Sequence, residues 1–275
     1  MTRPALLLWL CLAACAADHS VQGRSYELHA PKGDDPATAL PLIILNHGYG
    51  ANGPLQDLVF PFSKRIDEKR FLYALPSGTL DADFKRFWNA TDACCNFGDL
   101  PVDDVGFFRA LIADIKAQHA VGKVFVIGHS NGAFMALRLA CEASDVIDGV
   151  AEVSGSAWND FTRCPDGRKI PILLIHGTAD QTIFYDGKVT PGVVGAYPSV
   201  HETGKRYARR AGCTGDWHET GTADFVGDAT AETHQEVIDC ATPIELWSVE
   251  GAGHVPAFNA AWTAAVIDWL EGKAP

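Results

Sequence analysis

The chain is poor in basic residues, and it has neither a Cys-x-x-Cys pair nor an apolar run long enough to span a membrane. It has 22 lysines and arginines but 34 aspartates and glutamates, and the net charge of −12 argues against nucleic acids and anionic membrane surfaces as partners. No Cys-x-x-Cys pair occurs, so the cysteines predict no zinc site. Hydrophobic residues make up 47% of the 275 positions, without repeats or low-complexity tracts. We therefore expect one α/β domain over residues 24–275.

The first 17 residues have the composition of an export signal. Arg3 precedes an apolar run at residues 5–14 that is too short to span a bilayer. The Leu-Ala-Ala-Cys sequence at residues 12–15 resembles a bacterial lipobox, in which Cys15 is lipidated, but residues 14–16 also fit ordinary signal cleavage. We expect an exported protein, either free in the periplasm or medium or anchored to the membrane through Cys15 alone.

Export would place the six cysteines that follow the signal segment in an oxidising compartment, where disulfides form. Cys213 and Cys240 lie on either side of one polar stretch, and we expect them to pair. Cys141 and Cys164 have two options, because each could pair with the other or with the adjacent cysteines at 94–95.

Short apolar segments alternate with segments of helical periodicity, which predicts a mostly parallel central sheet with helices on both faces. A polar insert at residues 181–243 separates the last two of these strands, and within it we expect a helix at 197–210 and a hairpin formed by Phe225 and residues 233–238. The predicted strands cover residues 25–30, 41–46, 71–75, 123–127, 147–153, 170–175 and 244–249, and the other predicted helices cover 105–116, 133–142 and 261–270.

The sequence Gly-His-Ser-Asn-Gly at residues 128–132 is the most informative motif. It has the form G-x-S-x-G, and it lies between a predicted buried strand and a predicted helix. In that context the motif forms a sharp turn that presents the serine at the top of the sheet, with free N–H groups of the helix behind it. We therefore predict that Ser130 is a nucleophile.

A serine hydroxyl needs a histidine base that a carboxylate holds in one tautomer. Asp180 and His254 each follow the end of a predicted strand, where reactive groups of parallel sheets gather. The order Ser130, Asp180, His254 is that of α/β-hydrolases. Alternatives are a turn role for Asp180, with Asp186 as the acid, and a surface-loop role for His254.

Two backbone N–H groups should bind the oxyanion, those of Asn131 and Tyr49. We expect neither a metal nor a cofactor. His129 and His47 are more typical of packing near the site than of ligands, although His129 is a candidate substrate contact.

Other side chains allow two interpretations. Trp88 and Phe87 lie in a loop near the adjacent cysteines, where they could form a substrate platform or anchor the core. Asp103 and Asp104 favour capping of the next helix over a cation site.

The chain resembles the secreted polyhydroxybutyrate depolymerase-like esterases, which are related to feruloyl and acetylxylan esterases. The resemblance covers essentially the whole mature chain and implies a serine esterase of the α/β-hydrolase fold, with Ser130, Asp180 and His254 as nucleophile, acid and base. The matching segments are residues 88–89, 94–95, 102–107, 130–135, 139–142, 176–180, 212–213, 240, 245–247 and 253–254.

Two departures from the family pattern bear on the substrate. Val255 and Pro256 follow His254 where the family often has tryptophan and proline, so we expect an acyl pocket without that aromatic wall. The sequence ends at Pro275 directly after the last predicted helix, which favours oligomers or small esters over solid polyester.

We therefore predict an exported, monomeric esterase of hydroxyalkanoate oligomers or small esters. Feruloyl or acetyl esters of plant polysaccharide are the alternative substrates. A serine peptidase, an acyltransferase and a non-catalytic binding protein on the same fold stay open.

Overall fold

A computed structural model describes residues 18–188, 195–227 and 232–274 of the chain. The predicted signal segment, including Cys15, lies outside the described residues. Within these ranges no helix is both long enough and apolar enough to cross a membrane.

The elements alternate along the chain as the sequence predicts. The strands are β1 (Asp18–Val21), β2 (Arg24–His29), β3 (Leu40–Asn46), β4 (Leu72–Pro76), β5 (Thr79–Leu80), β6 (Arg86–Phe87), β7 (Val121–His129), β8 (Gly149–Val153), β9 (Ile172–Gly177), β10 (Trp217–Ala223), β11 (Thr233–Ile238) and β12 (Ile244–Val249). The α-helices are α1 (Gly53–Val59), α2 (Ile66–Lys69), α3 (Asp104–Gln118), α4 (Asn131–Glu142), α5 (Val200–Arg210) and α6 (Ala260–Lys273), and 3₁₀ turns occur at Phe62–Arg65 and Phe161–Arg163.

Ten strands form one sheet in the order β1-β2-β4-β3-β7-β8-β9-β12-β11-β10. The six central strands, from β4 to β12 in this order, are mutually parallel. The strand pairs at the two edges, β1–β2–β4 and β12–β11–β10, are antiparallel. Strands β5 and β6 form a separate two-stranded hairpin. This arrangement confirms the predicted fold class.

The central strands are mostly apolar because helices cover both faces of the sheet. In β3, Leu42 and Ile44 pack into one core together with α3, α4 and α5. Ile43 and Leu45 point to the opposite face, into a second core that includes α6. Because side chains alternate between the two faces of a strand, the continuous apolar run of β3 contributes to two separate cores.

Asp103 and Asp104 have structural roles at the start of α3. The Asp103 side chain caps the helix by accepting the Gly106 N–H at 2.8 Å. Asp104 is fully buried, where it pairs with Arg24 and accepts the Asn89 N–H at 2.6 Å. Helix capping, and not a cation site, is the interpretation that the contacts support.

The insert contributes strands to the sheet edge, which the sequence did not predict in detail. Its hairpin pairs β10 with β11, so the prediction that Phe225 forms the first strand is wrong. Phe225 lies beyond β10. Its ring packs on that of Trp247, with ring centres 5.0 Å apart, and so covers part of the second core. The predicted helix begins later than expected, at Val200, since Ser199 caps it by accepting the Glu202 N–H.

The sulfur atoms of three cysteine pairs lie at bonding distance. Cys213 pairs with Cys240 at the base of the β10–β11 hairpin, as expected. Of the two options left open, the structure pairs Cys141 with Cys164 and joins the adjacent residues Cys94 and Cys95 to each other. All six cysteines of the described residues are therefore paired.

Candidate active site

Ser130 occupies a sharp turn between β7 and α4. Its φ of 54° and ψ of −121° lie in a region that side chains rarely adopt, and its N–H donates to Val153 O at 2.9 Å. A Cβ atom at Gly128 would collide with the Gly132 carbonyl, and one at Gly132 would collide with the carbonyls of Asn46 and His47. Both glycines of the motif are thus required for the backbone to turn so closely.

The structure brings Ser130, His254 and Asp180 together beyond the carboxyl ends of β7, β12 and β9. Ser130 Oγ lies 2.9 Å from His254 Nε2, and His254 Nδ1 lies 2.8 Å from Asp180 Oδ2. The other oxygen, Asp180 Oδ1, accepts the N–H groups of Thr182 and Ile183 at 2.8 and 3.0 Å. Asp180, and not Asp186, is the carboxylate that meets His254.

The surroundings of Asp180 favour its charged form. Burial on its own would raise the pKa of Asp180, but hydrogen bonds from His176, His254 and the Thr182 N–H outweigh burial and hold the pKa well below its usual range. The carboxylate therefore stays ionised at neutral pH, where it can orient the His254 ring.

The backbone carbonyl of His254 is held from two neighbouring strands. His129 Nε2 and Ser154 Oγ both donate to this oxygen, each at 3.1 Å. Burial lowers the pKa of His129 to about 4, so the ring is neutral and its Nε2–H is available as a donor. The prediction that His129 contacts substrate is wrong, because the ring packs behind His254, with ring centres 5.0 Å apart, and does not line the cavity at Ser130.

The N–H groups of Asn131 and Tyr49 have no hydrogen-bond partner within the described residues. In the Tyr49 loop, the Gly48 N–H donates to Gln56 Oε1 at 3.0 Å and the Gly50 N–H donates to Arg86 O at 2.8 Å. Since both neighbours are engaged, the Tyr49 N–H is the donor of this loop that is left for a ligand. A Cβ atom on Gly48 would lie 3.4 Å from Ser130 Cβ, which places the loop beside the serine.

His47 and Trp88 fix the start of this loop. The His47 ring donates from Nδ1 to Gly48 O at 2.8 Å and accepts the Gly78 N–H at Nε2 at 2.9 Å, and the Trp88 indole donates to His47 O at 2.9 Å. Trp88 is fully buried, so the prediction that it contacts substrate is wrong. Its indole fills the core between the Tyr49 loop and α3, where it also packs on Phe108.

A cavity of about 470 Å³ opens at Ser130, and its walls are largely aromatic and apolar. Phe97 stands on its rim and packs edge-to-face on Tyr49, with ring centres 5.4 Å apart. The lining residues are Tyr49, Asp92, Ala93, Cys94, Cys95, Phe97, Ser130, Thr182, Ile183, Phe184, Lys188, Gly195 and Tyr197. Among the described residues of the insert, those that line the cavity lie between Thr182 and Tyr197.

Sequence reasoning missed Ser154, His176 and Gln56, which support the site through hydrogen bonds. Ser154 and His176 could have been suspected, because each lies at the carboxyl end of a central strand. Gln56 gave no signal, since it reaches Gly48 from α1. In the described part of the chain, no group of three or more His, Cys, Asp or Glu side chains could hold a metal ion.

Comparison with solved structures decides the fold. The acetyl xylan esterase from Aspergillus awamori superposes with a TM-score of 0.65 at 16% identity, over 90% of this chain and 94% of that chain. A carboxylesterase from Bacillus cereus superposes with a TM-score of 0.56 at 13% identity, over 92% and 95% of the two chains. The protein has the α/β-hydrolase fold. Est1E from Butyrivibrio proteoclasticus, solved with ferulic acid, gives a TM-score of 0.53 at 14% identity, over 94% and 99% of the two chains.

Sequence comparison gives esterases as well. The family model described as Phospholipase/Carboxylesterase matches residues 107–190, which include Ser130 and Asp180. The putative esterase NocK of Nocardia uniformis subsp. tsuyamanensis is 28% identical over 251 residues, 84% of this chain and 70% of that protein. Feruloyl esterase B of Piromyces equi is 29% identical over 140 residues, 47% of this chain but only 25% of that protein. The resemblance to esterases of the α/β-hydrolase superfamily is confirmed, in agreement with the predicted class of enzyme, a serine hydrolase of carboxylic esters.

Proposed function

We propose that the protein is an exported serine esterase that forms an acyl-enzyme at Ser130. One observation carries the proposal: the unbroken hydrogen-bond chain from Ser130 through His254 to Asp180, with distances of 2.9 and 2.8 Å. Ser130, at one end of this series of hydrogen bonds, lines a cavity of about 470 Å³. Nucleophile, base and carboxylate in this order are the arrangement that activates a serine hydroxyl.

In the proposed mechanism, Ser130 Oγ adds to the ester carbonyl carbon as its proton passes to His254 Nε2. The carbonyl oxygen becomes an oxyanion, to which the N–H groups of Asn131 and Tyr49 donate. The bond to the alcohol oxygen then breaks, and His254 returns the proton to the departing alcohol. Water repeats the sequence, with His254 as base, so that the acid is released and Ser130 Oγ recovers its proton.

For the substrate, we place hydroxyalkanoate oligomers or other small esters first. Feruloyl or acetyl esters of plant polysaccharide are a second candidate, which the aromatic walls formed by Tyr49, Phe97 and Phe184 favour. The names of two relatives, a feruloyl esterase and an acetyl xylan esterase, support the same candidate. Aromatic side chains can stack on a flat acyl group, but they also accept aliphatic chains.

We also propose that the domain acts as a single exported unit without a partner chain. The three cysteine pairs support an oxidising compartment, because cytosolic thiols stay reduced. We also propose that the signal segment is cleaved before the domain at residues 24–275, which leaves the protein either free or anchored through a lipid on Cys15.

The decisive experiment is to measure initial rates of wild type and Ser130→Ala on p-nitrophenyl acetate and butyrate, methyl ferulate, acetylated xylan, hydroxybutyrate oligomers and a peptide anilide. We expect turnover of esters and a loss of about 10⁴-fold or more in kcat for Ser130→Ala. Ser144→Ala, which removes a buried serine away from the cavity, is the matched control and should keep wild-type rates.

The ester that gives the highest kcat/KM identifies the substrate class. Folded wild type that is inert on every ester, or a Ser130→Ala variant that keeps its rate, would overturn the proposal. Hydrolysis of the anilide but of no ester would favour a peptidase instead.

A further inference from the structure

One lysine lines the cavity at Ser130, and the proposed mechanism does not use it. This residue, Lys188, shares the cavity mainly with aromatic and aliphatic side chains. Among the described lining residues, Asp92 carries the only other charge, and it is paired, because Arg163 Nη1 lies 3.4 Å from Asp92 Oδ1. The cavity therefore has one negative charge with a partner on the protein and one positive charge whose partner has to be found.

The Lys188 ammonium has neither an ion pair nor a hydrogen bond within the described ranges of the chain. By contrast, Lys205 Nζ lies 2.7 Å from Asp216 Oδ1. Three further lysines also pair with aspartates, namely Lys32, Lys69 and Lys169. The residues that follow Lys188, at positions 189–194, include no aspartate or glutamate, although the whole chain has 34. The cation in the cavity of this acidic protein is therefore available to an anionic ligand.

Backbone contacts hold Lys188 in place. Its N–H donates to Tyr197 O at 2.9 Å, and the Tyr197 N–H donates to Lys188 O at 3.0 Å. The preceding residue, Gly187, has a φ of +76°, and a Cβ atom there would lie 2.4 Å from the Ser199 nitrogen, so this turn requires glycine. Tyr197 also lines the cavity, and its hydroxyl accepts the Phe184 N–H at 3.0 Å. The backbone is thus preorganised, whereas the ammonium offers three donors to a ligand.

We propose that Lys188 binds a free carboxylate of the substrate and thereby selects short hydroxyalkanoate oligomers whose acid end is unblocked. This inference rests on the proposed function, because it assigns the substrate class of the same site. In such an oligomer each ester joins the acid of one unit to the hydroxyl of the next, so one carboxylate remains free. With the ester carbonyl at Ser130, the carboxylate of the departing hydroxy acid can reach Lys188, since both residues line one cavity. The ammonium then donates charge-assisted hydrogen bonds to it.

The charges of the protein make this contact selective. The net charge of −12 disfavours the approach of an anion, and the largely apolar walls disfavour a carboxylate that has no cation to pair with. Lys188 supplies that cation, and Asp92 opposes it only in part because Arg163 offsets its charge. Neutral esters, such as methyl ferulate and acetylated xylan, gain nothing from the ammonium. Lys188 therefore distinguishes the first candidate class of substrates from the second.

The test compares the hydroxybutyrate dimer with the same dimer capped at its acid end as a neutral methylamide. The quantity measured is the ratio of kcat/KM for the free dimer to kcat/KM for the capped dimer, in which a general effect on the cavity cancels. We expect Lys188→Met to lower this ratio about five- to tenfold, and Lys188→Arg to keep most of it. At about 1 M salt, where the screening length is about 3 Å, the wild-type ratio should approach that of Lys188→Met.

Lys116→Met is the matched control. It makes the same change of charge at an exposed lysine of α3, which does not line the cavity. We expect its ratio to equal that of wild type, so that the net charge of the protein does not account for the effect. A Lys188→Met ratio that matches wild type, or an equal fall of the ratio in Lys116→Met, would overturn the proposal.

A binding measurement separates this inference from the proposed function. The dimer stays intact in Ser130→Ala, and NMR titration gives its Kd with and without the additional Lys188→Met substitution. We expect the second substitution to raise the Kd of the free dimer about five- to tenfold and to leave the Kd of the capped dimer unchanged. Equal effects on both dimers would overturn the role of Lys188. Binding that depends on Lys188 in a wild type that cleaves no ester would overturn the proposed function alone.

Discussion

The side chain of Asn131 forms two hydrogen bonds with the backbone of Trp88. Asn131 Oδ1 accepts the Trp88 N–H at 2.7 Å, and Asn131 Nδ2 donates to Trp88 O at 2.9 Å. Through these bonds the first residue of α4, whose own N–H is a proposed oxyanion donor, is joined to the tryptophan that holds His47 O. The two halves of the proposed oxyanion site are therefore linked by one side chain.

Asn131→Ala should lower both stability and activity. The substitution leaves the N–H of Trp88 buried without a partner and removes one of the two hydrogen bonds to its C=O, which still accepts the Ala90 N–H, so we expect the fold to be destabilised by about 1–3 kcal/mol. Urea unfolding followed by tryptophan fluorescence measures this loss, and initial rates on p-nitrophenyl acetate measure the loss in kcat. Asn159→Ala, at an exposed asparagine, is the control. Equal unfolding midpoints for the two variants would refute the importance of the link to Trp88.

His47 should make stability depend on pH. Burial lowers the pKa of His47 to about 4, and a hydrogen bond with Gly48 O only partly opposes this shift. Between pH 6.5 and 4 the unfolded chain binds a proton at this residue and the folded protein does not, so stability falls as the pH falls. The stability difference between wild type and His47→Gln should therefore decrease by about 3 kcal/mol over this range.

This difference is measured by denaturant unfolding of both proteins at several pH values. Comparing differences cancels the opposite pH dependence that the raised pKa values of Glu152 and His176 give to both proteins. His218→Gln, at a side chain that is half exposed, should show no such trend. A constant difference for His47→Gln would mean that the buried ring becomes charged without penalty.

Phe97 should select for flat acyl groups. Its ring is 74% exposed on the rim of the cavity, where it can stack on a bound aromatic acid. We expect Phe97→Ala to raise KM for methyl ferulate about tenfold, which corresponds to about 1.4 kcal/mol of lost contact, with little change for ethyl acetate. Phe84→Ala removes an even more exposed ring that does not line the cavity, and it should alter neither value. Parallel changes for both esters in Phe97→Ala would argue against stacking.

The central part of the fold could be predicted from local sequence patterns because burial on both faces favours apolar residues at most positions of a strand. The strand that ends at Asn46 and the one before Ser130 are visible as such runs, and the residues that follow them fall at one edge of the sheet. For the same reason the approach of Ser130, Asp180 and His254 could be anticipated from strand ends alone.

Long-range contacts could not be anticipated in this way. Trp88 lies in a segment with the composition of a loop, but its burial depends on contacts with Asn131 and His47, which are distant from it in the sequence. His129 precedes the serine, yet its role is fixed by the carbonyl of His254, 125 residues later. The first strand of the hairpin at the sheet edge, β10, could not be predicted from the sequence. This strand is polar and mostly exposed, so no apolar run marks it.

Ser154 and His129 hold the His254 carbonyl by hydrogen bonds, so the position of the base does not depend on the loop that precedes it alone. A Cβ atom at Gly253 would meet nothing within 4 Å, whereas the ring that follows is held from inside the sheet. A side chain introduced at Gly253 would therefore enter open space while the histidine keeps its place. For protein engineering, Gly253 is a position next to the base at which the surface can be varied with little risk to the reaction itself.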